Sequence, residues 1–237
     1  MSEILGNVSS FESMGLVDGP GIRFIVFMQG CPLRCLYCHN PETWDASVKK
    51  NLVTPSEIVN KVLRYKSYFG KNGGITFSGG EPLLQHDFLL ETLKLCKEHN
   101  INTCLDTSGY GENFEDILEY VDLVILDVKA VDSDDYTHIT QRKIDHFKKF
   151  LDYCQKINKP LWLRQVIVPG INDTKESVLK LKEFAKKLKN VEKIELLPYH
   201  NMAIKKYNEL GIDYVLKDVK PMDKQYCNEL QKLLRED

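Results

Sequence analysis

A repeat restricts what this 237-residue chain can become. About six short apolar runs are each followed by a segment of helical periodicity, at intervals of roughly 25 to 35 residues. Residues 22–28, 75–77, 102–107, 123–129, 161–168 and 193–197 read as strands. Within the fourth, Leu123 to Leu126 is unbroken apolar sequence, which marks a strand buried on both faces of a parallel sheet. Between the runs, Thr54-Pro55-Ser56-Glu57 has the form of a capping box with proline at the first helical position. Ile58, Val59, Val62 and Leu63 then recur at helical spacing, so a helix is expected to about Tyr68. Further helices are expected over residues 87–99, 114–120, from Ile144 to just before Pro160, and from about 222 to 235. Asp173 with Glu176 is expected to cap one more, through Val178, Leu181 and Ala185. Residues 5–15 read as an irregular or short-strand entry. Strand–helix units of this length imply α/β architecture with right-handed crossovers. No linker or low-complexity tract divides residues 1–237, so one domain is expected, large enough to bury roughly three-quarters of its unfolded surface without disulfides.

In parallel sheets, ligands sit beyond the carboxyl ends of the strands. Unusual residues fall there repeatedly in this chain. A cysteine loop follows the first strand, Ser78-Gly79-Gly80-Glu81 the second, and Asp106-Thr107 ends the third. Asp127 and Lys129 lie in the fourth, Arg164 in the fifth, and His200 follows the sixth. A single polar strand end is more often a local cap or ion pair. Six in succession point to one shared cavity.

Cys31, Cys35 and Cys38 lie within eight residues in the spacing C-x3-C-x2-C, too close to be three separate core residues. Three ligands are one fewer than a closed four-coordinate site needs. A zinc site using His39 would require the adjacent Cys38 and His39 to reach one ion, and no second C-x2-C or H-x3-H pair completes a tetrahedron. An iron–sulfur cluster with one open iron fits the spacing better, with a structural metal ion as the rival. Cys96, Cys104, Cys154 and Cys227 sit in apolar-patterned segments and read as core. Seven cysteines, an odd number, with no secretory apolar region after Met1, place the chain in the reducing cytoplasm. No stretch is long enough to span a membrane, and a net charge of −2 argues against a large nucleic-acid surface.

The triad, with Tyr37 just before its last cysteine, resembles the signature of radical S-adenosylmethionine (SAM) enzymes. Within them the chain is similar to the pyruvate formate-lyase activating enzymes. That likeness is carried by Asp18-Gly19-Pro20-Gly21-Ile22-Arg23-Phe24, residues 31–40, 78–81, 104–107 and 126–129, Val168-Pro169-Gly170, and residues 195–200. The resemblance implies an incomplete (β/α)6 TIM-like barrel, parallel strands with outer helices, holding a [4Fe–4S] cluster on Cys31, Cys35 and Cys38. SAM would chelate the open iron. Gly79, Gly80 and Glu81 would border its methionine portion, the glycines leaving room for close approach. Lys129, Asp127 and His200 match SAM-contacting positions, and Tyr37 would pack near the adenine. Asp106, Thr107 and Asp127 match positions around a monovalent cation, Na+ or K+. His39 and Arg164 would position the protein substrate or tune the cluster, with Lys129 and Arg164 counted among the catalytic residues. The implied reaction cleaves SAM to methionine and a 5′-deoxyadenosyl radical, which takes a glycine Cα hydrogen from pyruvate formate-lyase. Flavodoxin or ferredoxin would supply the electron, and the chain would act as a monomer.

The chain departs from the family pattern in two places. A glycine expected after the threonine in residues 137–141 is absent, and residues 201–207 are idiosyncratic. Both bear on partner docking. Only about 40 residues without cysteine separate Cys38 from Gly79, so the inserted ferredoxin-like module of some relatives is missing. Activation of another glycyl radical enzyme, such as anaerobic ribonucleotide reductase, and small-molecule radical SAM chemistry are the alternative readings.

Overall fold

A computed structural model of the chain describes residues 3–235. Strands β1 (Gly6–Gly15) and β2 (Arg23–Met28) pair antiparallel, and the short β3 (Asn51–Val53) adds outside β1. There follow α1 (Pro55–Leu63), β4 (Gly74–Gly79), α2 (His86–Glu98), β5 (Asn102–Thr107), α3 (Glu115–Glu119) and β6 (Leu123–Asp127). The chain continues through α4 (Ser133–Thr140), α5 (Asp145–Lys156), β7 (Leu161–Ile167), α6 (Lys175–Lys186), β8 (Val191–Pro198), α7 (Ile204–Leu210) and α8 (Lys224–Leu233). The sheet order is β3-β1-β2-β4-β5-β6-β7-β8, with every neighbouring pair from β2 to β8 parallel. That is the α/β fold expected, six parallel strands (β2 and β4 to β8) in an open, barrel-like array extended past β2 by antiparallel β1 and β3. Among the described residues, no helix is long and apolar enough to cross a membrane.

Two-residue alternation divides the side chains of the parallel strands. One face packs under the helices in a continuous core that includes Val26, Phe77, Leu105, Val124, Leu126 and Leu163, together with Cys96, Cys154 and Cys227. The other face lines the lumen. Its lower part holds a small cluster of Cys104, Leu123 and Ile125 against Trp162. At the amino end of the strands the Arg23 guanidinium is fully buried. It donates to Thr76 Oγ1 (2.6 Å), Asn102 Oδ1 (3.0 Å) and the carbonyls of Pro20, Asn72, Ile75 and Asn102.

Two local expectations are corrected and one element is added. Residues 5–15, read as irregular or a short strand, form a strand longer than expected, with register shifts against β2 between Val8 and Ser10 and between Glu12 and Gly15. Ten of them form β1, whose polar Ser9, Ser10 and Glu12 hide its period because only one face of a covering strand meets the core. Asp173 does not cap α6. Thr174 does, accepting from Ser177 N (3.1 Å), while Asp173 accepts from Gly170 N (2.9 Å) and closes the preceding turn. Residues 201–207 contain most of α7, which no periodicity announced. By contrast, both halves of the Thr54–Glu57 capping box are present.

The missing glycine in residues 137–141 has a local consequence. Gln141 ends α4 at φ +58°, in the left-handed region, its N–H donating to Thr137 O (2.9 Å). A side chain there costs about 1 kcal/mol that glycine avoids. Gln141→Gly is therefore expected to raise the unfolding free energy by about 1 kcal/mol, read from the midpoint of a urea titration.

Candidate active site

The loop after β2 is fixed by backbone bonds on both flanks. Gly30 N donates to Thr43 O (2.7 Å) and Cys31 N to Trp44 O (3.2 Å), while Arg34 N and Leu36 N reach Thr140 O and Ile139 O at 2.9 Å. The end of α4 thus clamps the middle of the cysteine loop. Arg34 adds bonds from its guanidinium to the carbonyls of Cys31 and Leu33, both 2.8 Å. The three cysteines are free thiols, and all three line one cavity of about 270 Å³ at the carboxyl end of the strands.

The inner faces of the strands supply the opposite wall. Asp127 is in register with Arg164, and Arg164 with Glu195, so the charged strand ends form one row. Asp106 accepts from Ser78 Oγ (2.9 Å) and lies 3.8 Å from Arg164 Nη1. Arg164 also pairs with Glu195 (3.2 Å) and stands 3.8 Å from Asp18, and it donates to Val17 O (2.6 Å), pinning the β1–β2 loop over the lumen. Lys129 pairs with Asp127 and lies 5.3 Å from the centre of the Tyr37 ring. Asp127 Oδ1 and Tyr37 Oη are buried without hydrogen-bond partners among the described residues.

Cys31, Cys35, Cys38, Tyr37, His39, Gly79, Gly80, Asp106, Thr107, Asp127, Lys129 and Arg164 all border this cavity. Glu81 and His200 do not. Glu81 is almost fully buried, accepting from Thr107 Oγ1 (2.6 Å), Ser108 N (2.9 Å) and Ser108 Oγ (2.5 Å). It ties the end of β4 to the end of β5, and its place beside a ligand is corrected to a place behind the wall. His200 stacks on His39, with ring centres 3.8 Å apart, and its carbonyl lies 3.0 Å from His39 Nε2. It stands as a second layer behind His39.

The reason for the two glycines also changes. A Cβ on Gly80 would sit 2.1 Å from Gly30 O, and one on Gly79, at φ +103°, 2.4 Å from Met28 N. They are required first by the close packing of the cysteine loop on β4, closed by Gly80 N to Met28 O (2.9 Å) and Glu81 N to Gly30 O (2.8 Å). Asp18, Val166 and Leu197 border the cavity too and were missed. For Val166 and Leu197 the signal existed, since each lies two residues beyond an inward-facing Arg164 or Glu195.

Burial, then the nearby Asp106 carboxylate, raise the Asp18 pKa to about 6, against the opposing pull of Arg164; Glu12 and Glu195 add to the rise. A carboxyl that holds its proton more tightly when folded makes stability fall as pH rises from about 4 to 6, and the loss stays above that range. Asp18→Asn is therefore expected to stabilise the metal-free chain by about 1–2 kcal/mol at pH 7, after allowance for partial solvent access. It should also flatten the pH dependence between 4 and 6, as followed by thermal melts across that range.

The model of the Radical SAM superfamily matches residues 25–185. The pyruvate formate-lyase-activating enzyme of Clostridium pasteurianum is 52% identical over 235 residues, covering 98% of each chain. The chain belongs to the radical SAM superfamily. The corresponding protein of Staphylococcus epidermidis is 45% identical over 94% of this chain and 93% of its own. A solved domain of a pyruvate-formate lyase-activating enzyme from Bacteroides vulgatus superposes with a TM-score of 0.56 at 24% identity, covering 69% of this chain and 93% of that one.

Radical SAM proteins use a [4Fe–4S] cluster and SAM, and the donor set here fits that pair. No three His, Cys, Asp or Glu side chains among the described residues converge as a single-ion site. All three thiols border one cavity of about 270 Å³, room for more than a single ion, which suits a cluster better than zinc. Burial pushes all three thiols up, Cys35 to about 12, so in the bare chain they are protonated and cluster binding must displace those protons. Beside them, Asp127 Oδ1 remains an unpartnered acceptor and Lys129 a buried cation, a pairing able to bind a zwitterionic ligand.

Proposed function

We propose that this chain, acting as one domain over residues 1–237, is the activase that installs the glycyl radical of pyruvate formate-lyase. The observation that carries this reading is the convergence of three free thiols and the charged ends of β5, β6 and β7 on one cavity. Relatives named for that activation match nearly the whole chain. Cys31, Cys35 and Cys38 would hold the cluster and leave one iron open. When bound, the cluster and SAM would supply a low-potential electron and the radical chemistry needed to take a glycine Cα hydrogen.

The chain's own residues supply position and shielding. Lys129 and Asp127 hold the amino-acid end of SAM, Tyr37 and Val166 pack its nucleoside, and His39, backed by His200, closes the side nearest Cys38. Asp106, Thr107 and Asp127 form the seat of a monovalent cation. Arg164 holds the β1–β2 loop over the lumen, which limits water at the radical site until the target loop enters. A cytoplasmic monomer reduced by flavodoxin or ferredoxin completes the proposal.

The test is anaerobic incubation of reconstituted enzyme with pyruvate formate-lyase, SAM and a reductant, followed by EPR. A glycyl radical doublet that depends on SAM is expected. Its absence, with a doublet on anaerobic ribonucleotide reductase instead, would reassign the target.

A further inference from the structure

The cysteine loop is one chain thick. Before Cys38 its side chains alternate: Cys31, Leu33, Cys35 and Tyr37 border the cavity, while Pro32, Arg34 and Leu36 do not and are partly exposed. A cluster on the inner thiols would lie one layer of chain from solvent, on the side facing away from the strand ends. Cations gather on that outer face. Arg34 N donates to Thr140 O (2.9 Å) and Arg142 N to Thr140 Oγ1 (3.2 Å), so the clamp sets Arg34 beside Arg142, with Lys143 next in the chain. Arg142 and Lys143 are exposed, and none of the three cations makes an ion pair among the described residues. The guanidinium bonds of Arg34 and Arg142 run to the carbonyls of Cys31, Leu33 and Gln141. On the other flank of the loop, the two acidic residues of the segment 40–47 are already engaged. Glu42 pairs with Lys206 (2.6 Å), and Asp45 accepts from Ser47 N (2.8 Å) and Ser47 Oγ (2.7 Å). In a chain whose net charge is −2, this is a local positive excess around partly exposed Pro32 and Leu36. Unpaired surface cations steer an oppositely charged partner, and a small apolar centre gives it a seat.

We propose that this outer face docks an acidic one-electron carrier protein, which reduces the cluster through the cysteine loop. The inference rests on the reading that Cys31, Cys35 and Cys38 hold the cluster. The carrier loses one electron and the cluster gains it; no proton moves and no bond forms or breaks. Electron transfer slows steeply with distance, and the loop is the thinnest part of the wall. The two faces then divide the work. SAM and the target glycine use the cavity, and the electron enters from behind the thiols without displacing either.

The test is stopped-flow reduction of the reconstituted holoenzyme, with iron and sulfide measured on every sample. Arg142→Glu and Lys143→Glu are combined, and Arg34 is left in place because it holds the loop. With reduced flavodoxin as the donor, the second-order rate should fall about tenfold or more and lose most of its dependence on salt. With photoreduced deazaflavin, a small reductant that needs no docking patch, the rate should match wild type. An unchanged flavodoxin rate at full cluster content would overturn the proposal. Equal slowing with both reductants would overturn it too, since that reports a changed cluster and not a lost docking site. So would a wild-type flavodoxin rate combined with lost glycyl-radical formation, which would give this face to the radical acceptor instead.

Should the double variant fail to hold its cluster, carbodiimide coupling of the wild-type holoenzyme to flavodoxin decides. That reagent joins a carboxylate to an amine in direct contact, so Lys143 should appear among the coupled residues. Coupling confined to lysines away from the cysteine loop would overturn the proposal. Wild-type protein that binds no iron and sulfide after reconstitution would instead defeat the functional reading itself, and this inference with it.

Discussion

Replacing Cys35 with serine is expected to reduce glycyl-radical formation to background, a loss of more than about 10³-fold. The thiol sits at the centre of the clamped loop, between bonds from Arg34 N and Leu36 N to the end of α4, and little backbone freedom remains to bring in another ligand. A serine oxygen is a poor substitute for thiolate on iron. Cys31→Ser and Cys38→Ser should behave alike, and all three variants should show reduced iron and sulfide on reconstitution. Cys96→Ala and Cys154→Ala provide the contrast. Both side chains are buried under the helices, so these changes should cost stability while leaving cluster content and radical yield near wild type. Equal loss of radical across all five variants would mean that the triad has no special status.

Replacing Arg23 with alanine is expected to destabilise the fold by about 3–5 kcal/mol, seen as a fall of roughly 10 °C in Tm. Its guanidinium is fully buried at the amino end of the strands, with neutral acceptors around it and, among the described residues, no carboxylate at ion-pair distance. Burial lowers its pKa, yet it stays charged. Removing it leaves Thr76 Oγ1 and the Ile75 carbonyl buried without their donor, and takes a donor from Asn102 Oδ1 and the carbonyls of Pro20 and Asn72. Arg23→Lys should recover only part of the loss, because one ammonium cannot reach acceptors spread over β4, β5 and the β1–β2 loop. Cysteine-loop chemistry lies at the other end of the strands. Arg23 variants that remain folded at low temperature should therefore keep their cluster content.

What could be read from sequence was whatever two periodicities control. The residue range of β5 was legible to the residue, and β2, β6 and β7 to within two at either end, because apolar runs bounded by glycine, proline or charge leave little freedom. The site was legible because parallel topology collects strand ends. Twelve of the fourteen expected residues border one cavity. The exceptions share a cause. Glu81 directly follows cavity-lining Gly80 and His200 comes three residues after cavity-lining Leu197, and nearness along the chain does not tell which way a side chain turns. Glu81 turned toward the hydroxyls of Thr107 at the end of β5 and of Ser108 just after it, and His200 toward the ring of His39. The full length of polar β1 and the helix α7 were illegible for another reason. Their order comes from partners far away in sequence, β2 and the segment around Trp44, and not from any local pattern.

One vacancy underlies the proposed chemistry: three thiolates on four irons leave a corner for SAM. EPR of the reduced, reconstituted enzyme before and after addition of SAM tests it most directly. With an open iron, SAM should shift the cluster's g-values, and the shift should be lost when Lys129→Met and Asp127→Asn are combined. A cluster signal indifferent to saturating SAM, in protein with full iron and sulfide, would contradict the account.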